Sequence, residues 1–204
     1  WMSTKEFEIL MEYVEPYYFK EKFTMPKLLI NAGSDEFFST DSWRFYFDQL
    51  PGEKYLQYVP NVNHSLNGTY LNENLFSFYT RIINGQSFPN IVWEIKNDSL
   101  ISKVDSHQDY KVSIWEANNT VTRDFRLWEE GKLWDQTPME RNSQDEYKIN
   151  LKSNKDGYTA TMLEFIFNPD SDFPLILTTG PYVMPNEYPY QSYIPKQMDF
   201  EKND

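Results

Sequence analysis

The stretch PKLLINAGSDEFF, residues 26–38, sets the first expectation about the fold. Lys27 leads into the apolar run Leu28, Leu29, Ile30, which ends in the loop Gly33-Ser34-Asp35. A short unbroken apolar run of this kind suits a central parallel strand covered on both faces. A second stretch, YLQYVPNVNHSL (55–66), repeats the plan: a strand, then a loop carrying His64. Between them, STDSWRFYFDQL (39–50) opens on the capping-type residues Ser39, Thr40 and Asp41. It spaces Trp43, Phe47 and Leu50 at i, i+4 and i+7, which predicts a helix. PGEK (51–54) reads as a turn. NENLFSFYTRIIN (72–84) predicts another helix with Leu75, Phe78, Tyr79 and Ile82 on one face, stopped at Gly85. Strand, helix, strand in this order is a βαβ crossover, which makes the two strands parallel and adjacent.

Upstream, Phe7, Leu10, Met11 and Val14 mark one face of a short helix over 5–14, which Pro16 stops. Downstream of Gly85 the pattern changes. IVWEI (91–95), YKVSIWEA (110–117), DFRLW (124–128), EYKINL (146–151), YTATMLEFIF (158–167) and LILTTG (175–180) are short and rich in aromatic and β-branched residues. The turn signals NDS, NNT, EEGK, NKDG and NPDSD lie between them, a pattern that predicts an all-β sandwich. A boundary falls in NGQSFPN (84–90), so the expected units are 1–86, a β unit over 87–185, and a loose tail over 186–204.

The composition narrows the function classes. Nineteen Lys and Arg against 31 Asp and Glu leave a net charge of −12 in 204 residues. Such a surface repels phosphate backbones and anionic lipid, so neither nucleic acid nor an acidic membrane is an expected partner. There is no cysteine, which excludes disulfides, thiolate catalysis and zinc–thiolate sites. No run approaches the roughly 18 apolar residues of a membrane span. The opening WMSTKEFEILMEYVEPYYFK (1–20) resembles no signal peptide, and the chain reads as the interior of a longer polypeptide.

Two parallel strands place their following loops at the same end of a sheet, where open sheets gather functional groups. Asp35 and His64 then meet within hydrogen-bond reach. An acid that fixes an imidazole tautomer and an imidazole that takes a hydroxyl proton are two parts of a nucleophilic triad. In α/β-hydrolases the chain order is Ser, then Asp or Glu, then His, and this chain has the last two in that order. A nucleophile elbow, G-x-S-x-G, is absent. Ser34 is on the wrong strand and Ser65 is too close to His64 in sequence, so the serine is expected upstream of Trp1. Two other readings stay open. Asp35 in a Gly-Ser-Asp loop is a common turn former, and Asp35 with Glu36 and His64 is a candidate metal set, although the other histidine, His107, lies in the β region. No cofactor is expected.

MPKLLINAGSDEFF together with DSWRFYFDQLPGEKYLQYVPNVNHSL resembles the PhoPQ-activated pathogenicity-related proteins. YVEPYYFKEKFTMPK (13–27), WEANNTVTRDFRL (115–127) and LTTGPYVMP (177–185) extend the resemblance over roughly residues 10 to 190. The resemblance implies an α/β class: the C-terminal part of an α/β-hydrolase parallel sheet followed by a small all-β sandwich-like domain. It implies Asp35 as triad acid and His64 as base, a peptide or small ester or amide substrate, and a secreted location. One branch of the family is a secreted signal that restrains the proliferation of its own cells, which implies instead a cell-surface receptor as partner.

Four sequons, at Asn63, Asn67, Asn97 and Asn118, are compatible with export. A glycan at Asn63 would block the proposed base, so Asn67, Asn97 and Asn118 are the expected acceptors. RDFRL (123–127) reads as an edge strand with a surface ion pair between Asp124 and Arg126. Trp93, Trp115, Trp128 and Trp134 read as sandwich core or interface rather than a carbohydrate platform. A chain holding half a sheet would expose the face and edge where other strands belong, so low solubility in isolation is expected.

Overall fold

A computed structural model of the chain describes residues 4–152 and 156–191. Most of the fold is antiparallel β, and this overturns the α/β expectation. Parallel pairing is confined to β1 (Lys27–Ala32) and β2 (Lys54–Val59), a two-stranded ribbon in register from Lys27 opposite Lys54 to Ala32 opposite Val59. No parallel hydrolase sheet extends from it among the described residues.

The other eight strands form two antiparallel sheets. One has the order β3 (Asn90–Lys96), β4 (Ser99–Asp105), β7 (Glu146–Asn150). The second centres on the ten-residue strands β5 (Tyr110–Asn119) and β8 (Tyr158–Phe167). β6 (Trp134–Met139) flanks β5, while β9 (Leu175–Thr178) and β10 (Tyr182–Met184) share the far edge of β8.

β8 is buried along nearly its whole length because both of its faces carry core. Leu163, Phe165 and Phe167 pack with Leu100, Val104 and Tyr147 of the three-stranded sheet. Ala160 and Met162, pointing the other way, pack with Trp43, Leu56, Tyr58 and Trp134. Each cluster draws residues from both sides of the 84–90 segment: Phe78 joins the first, and Leu56 and Tyr58 join the second.

Several local expectations need correction. Residues 39–50 form two 3₁₀ turns, Ser42–Phe45 and Phe47–Gln49, instead of a crossover helix. The side chain of Trp43 enters the core, where its Nε1 donates to the Pro181 carbonyl at 2.9 Å and its backbone N–H donates to Tyr58 Oη at 3.1 Å. These tertiary bonds replace the i to i−4 ladder that the spacing predicted. β1 is half-buried rather than covered on both faces, since among the described residues it pairs with β2 alone.

The helices α1 (Lys5–Val14) and α2 (Leu71–Ile83) form where the periodicity placed them. Thr4 caps α1, its Oγ1 accepting from Phe7 N–H at 3.2 Å. Their apolar stripes, however, are largely exposed. α2 buries Asn74, Ser77, Phe78 and Arg81, leaving Leu75, Tyr79 and Ile82 in solvent. The reason is polar: Asn74 Nδ2 donates to Gln57 Oε1 (2.7 Å) and the Ile176 carbonyl (2.9 Å), and its Oδ1 accepts from Ile176 N–H (2.8 Å). One amide thereby satisfies buried groups on two strands and sets the rotation of the helix.

Segment 124–128 is not a strand. It runs from an irregular loop into α3 (Leu127–Glu130), and Trp128 is exposed rather than core. Trp134 is buried as expected, and Trp93 and Trp115 are half-buried. The expected loose tail falls mostly on residues 192–204, which lie outside the described residues. No helix among the described residues is long and apolar enough to cross a membrane.

Candidate functional site

The loops after β1 and β2 are drawn together by backbone bonds that extend the parallel register. Gly33 N–H donates to the Val59 carbonyl (2.7 Å) and Ser34 N–H to that of Val62 (3.2 Å). A Cβ at position 33 would lie 3.1 Å from the Val59 carbonyl oxygen and 3.2 Å from Trp134 Nε1, so glycine allows this close approach of loop and indole. The Gly33 carbonyl accepts from Thr40 Oγ1 (3.1 Å) and Trp134 Nε1 (3.2 Å), so β6 also holds this turn.

At the ends of these loops, Asp35 Oδ2 and His64 Nδ1 lie 2.9 Å apart. The acid is buried, with a side chain 6% exposed, whereas the imidazole is half in solvent at 51%. Asp35 Oδ1 accepts the backbone N–H groups of Phe37 (2.8 Å) and Phe38 (3.3 Å), the local Asx pattern of a turn-forming aspartate. Its other oxygen is thereby committed to the ring. The turn-former and acid readings of Asp35 are thus compatible, since one carboxylate does both.

The imidazole is also framed from its sides. The Phe37 ring meets it edge-on at 5.0 Å between centroids and the Phe38 ring lies 5.8 Å away. Glu36 Oε2 accepts the His64 backbone N–H at 3.0 Å. Glu36 therefore holds the loop instead of turning toward a shared cation, and no group of three or more metal-ligating side chains converges among the described residues. With Nδ1 engaged, Nε2 is the ring nitrogen left for chemistry.

No hydroxyl among the described residues hydrogen-bonds the imidazole. Ser34 Oγ is buried without a partner, and Ser65 Oγ donates to Asn63 Oδ1 at 2.7 Å. A cleft of about 340 Å³, lined by Asp35 but not by His64, opens between the 35–40 loop and the 122–126 loop. Its far wall is fixed by an ion pair that the sequence reading missed. Arg123 Nη2 meets Asp41 Oδ2 at 2.6 Å, with side-chain exposures of 8% and 0%. In the sequence Asp41 reads as a helix cap and Arg123 as part of an edge strand, 82 positions apart. The expected Asp124–Arg126 pair does form, at 2.6 Å, but in a loop. Hydrogen bonds from Arg126 hold the Asp124 carboxyl below its ordinary value.

Of the sequons, Asn67 and Asn97 are exposed in turns. Asn118 is exposed within β5 rather than in a turn, and its Oδ1 accepts from Thr159 Oγ1 at 2.8 Å. Asn63 Oδ1 is occupied by Ser65.

Fold and site together define a mostly β protein in which one parallel strand pair presents a carboxylate–imidazole couple beside a cleft. The chain belongs to the PhoPQ-activated pathogenicity-related protein family, whose profile matches residues 1–126. It is 28% identical over 206 residues to autocrine proliferation repressor protein A of Dictyostelium discoideum, across 88% of this chain and 42% of that relative. The chain thus spans less than half the length of the curated relative it matches. No solved structure matches it.

Proposed function

We propose that Asp35 and His64 are the acid and base of a serine-hydrolase triad, peptidase-like in its substrates, whose nucleophile comes from sequence outside these 204 residues. The observation that carries the reading is the 2.9 Å contact between a buried carboxylate and a half-exposed imidazole. Asp35, anchored by two backbone N–H groups, holds Nδ1–H and stabilises the imidazolium that forms. Nε2 then takes the proton of a serine hydroxyl and returns it to the leaving group of a peptide or a small ester or amide. The greater length of the relative supports a nucleophile elsewhere in the polypeptide. In this reading the protein is secreted, and Asn67, Asn97 and Asn118 carry its glycans.

Labelling of the full-length protein by a serine-directed phosphonate tests the assignment. Labelling is expected to vanish in His64→Ala and to slow by about 10³- to 10⁴-fold in Asp35→Asn, the scale on which a misdirected tautomer acts. Rates unchanged in both folded variants would remove the triad.

The name of the Dictyostelium relative favours a second reading, a signal that restrains proliferation by binding a cell-surface receptor without catalysis. Folded full-length His64→Ala added to its own cells separates the two. Undiminished growth restraint supports the signal, and complete loss of restraint counts against a signal that needs no catalysis.

A further inference from the structure

A second, unassigned cavity lies against the 57–62 and 68–70 segments that flank the His64 loop. It has a volume of about 650 Å³ and opens between the 57–70 segment and one face of the β5–β8 sheet. Strand register settles which side chains share that face. Glu164 lies opposite Ser113, Met162 opposite Trp115, and Ile166 opposite Lys111. Glu164, Trp115, Ile166 and Lys111 therefore point to the same side, and all four line the cavity.

Glu164 is the unusual member. It is 8% exposed, and its hydrogen-bond donor is a neutral amide, Gln136 Nε2, at 3.2 Å. The Trp115 indole Nε1, also buried, lies on the same side, near enough to favour the ionised form of Glu164 though not in good hydrogen-bond geometry. No lysine or arginine pairs with Glu164 among the described residues, although buried carboxylates are ordinarily paired with a cation. The lysines stand at the rim instead. Lys111 is exposed and only loosely paired with exposed Asp170 at 3.7 Å, and Lys132 is exposed. Lys111 is two register steps from the residue opposite Glu164, which separates the two backbone positions by about 7 Å along the strand direction. Val59, Ile166, Pro174 and Ile176 supply apolar wall between them.

We infer that this cavity binds a small zwitterion of dipeptide size with an apolar side chain, its ammonium group on Glu164 and its carboxylate at Lys111 and Lys132. The assignment rests on this cavity alone and is independent of the hydrolase reading. The ammonium supplies the cation that Glu164 lacks, and the rim lysines reject a simple cation while accepting a carboxylate.

Calorimetric titration of the full-length protein with leucylleucine tests this, in a His64→Ala background so that the ligand is not consumed. Saturable binding is expected. N-acetylleucylleucine, which lacks the ammonium, is expected to bind at least about ten-fold more weakly, and leucylleucine amide several-fold more weakly. Glu164→Gln is expected to erase the preference for the free amine, and the exposed substitution Lys132→Ala to weaken the free carboxylate without altering the melting temperature. Equal binding of the acetylated and free dipeptides, or no binding of leucylleucine up to about 10 mM, an affinity too weak to use the paired charges, would overturn the assignment.

Discussion

At Glu164, burial acts against the ionised form and pushes the carboxyl above its ordinary value of 4.5, with the Trp115 and Gln136 side chains opposing the shift. The consequence for stability has a definite sign. Below the ordinary value the group is neutral in both folded and unfolded chains and contributes nothing. As pH rises, the unfolded chain ionises first, so the folded state loses stability, and the loss is complete above the raised value. Each pKa unit of displacement corresponds to about 1.4 kcal/mol. Glu164→Gln should therefore melt higher than the parent near neutral pH, and the gap should close as the pH falls through about 4.5; thermal unfolding at several pH values measures it. Single residues differed in how legible they were. Asp35 and His64 could be paired in advance because two consecutive parallel strands have only one arrangement that brings their following loops together. Asp41 and Arg123 could not, because nothing local joins residues so far apart. Glu164 reads as a solvent-facing position on an alternating strand, and only the folded sheet places it in a cleft.

Among the elements, the most constrained contact is between the 42–45 turn and the strand exit at Gly180. A Cβ at Gly180 would overlap the Trp43 indole, which is itself fixed by the Pro181 carbonyl. Gly180→Ala should destabilise the fold by about 1–3 kcal/mol, the usual range for overpacking a core. The decrease in urea midpoint at unchanged slope would register it. That contact also explains why 39–50 is no helix: its apolar spacing suits one, but Trp43, Tyr46 and Phe47 answer to Pro181, Asn31 and Trp93. The missed strands have simpler causes. β4, SLISKVD, mixes Ser, Lys and Asp into its alternation, and β6 contains Pro138. Proline is tolerated there because β6 is an edge strand. By contrast β1, β2, β5 and β8 were legible because their aliphatic and aromatic runs have no other economical reading.

At the scale of the whole molecule, the two longest helices turn apolar residues outward. Leu10, Tyr13 and Val14 of α1 and Leu75, Tyr79 and Ile83 of α2 are all exposed. Exposed apolar stripes of this extent drive association. The 204-residue chain in isolation is expected to form oligomers in sedimentation velocity at about 100 μM, and replacing Tyr13 and Tyr79 by Glu should reduce them, since scattered charge breaks a patch. A strictly monomeric parent would contradict this. The general anatomy, helices and a strand pair followed by antiparallel β, was visible in the periodicities. The class was not: the βαβ-like spacing rightly paired β1 with β2, but the whole parallel sheet that the resemblance implied is absent among the described residues.

The ribbon made by β1 and β2 has a further consequence. Lys27 donates to Glu53, just before β2, and Gly33 to Val59, so by alternation Leu29 and Asn31 face β2 as well, while the amides of Leu28, Ile30 and Ala32 point to a side where no strand lies among the described residues. In deuterated solvent the two sets should part company: the odd-numbered amides retain their protons and the even-numbered ones trade them quickly. Anything extended that docks along that margin would silence the difference, so this isotope pattern doubles as a sensor for strand capture.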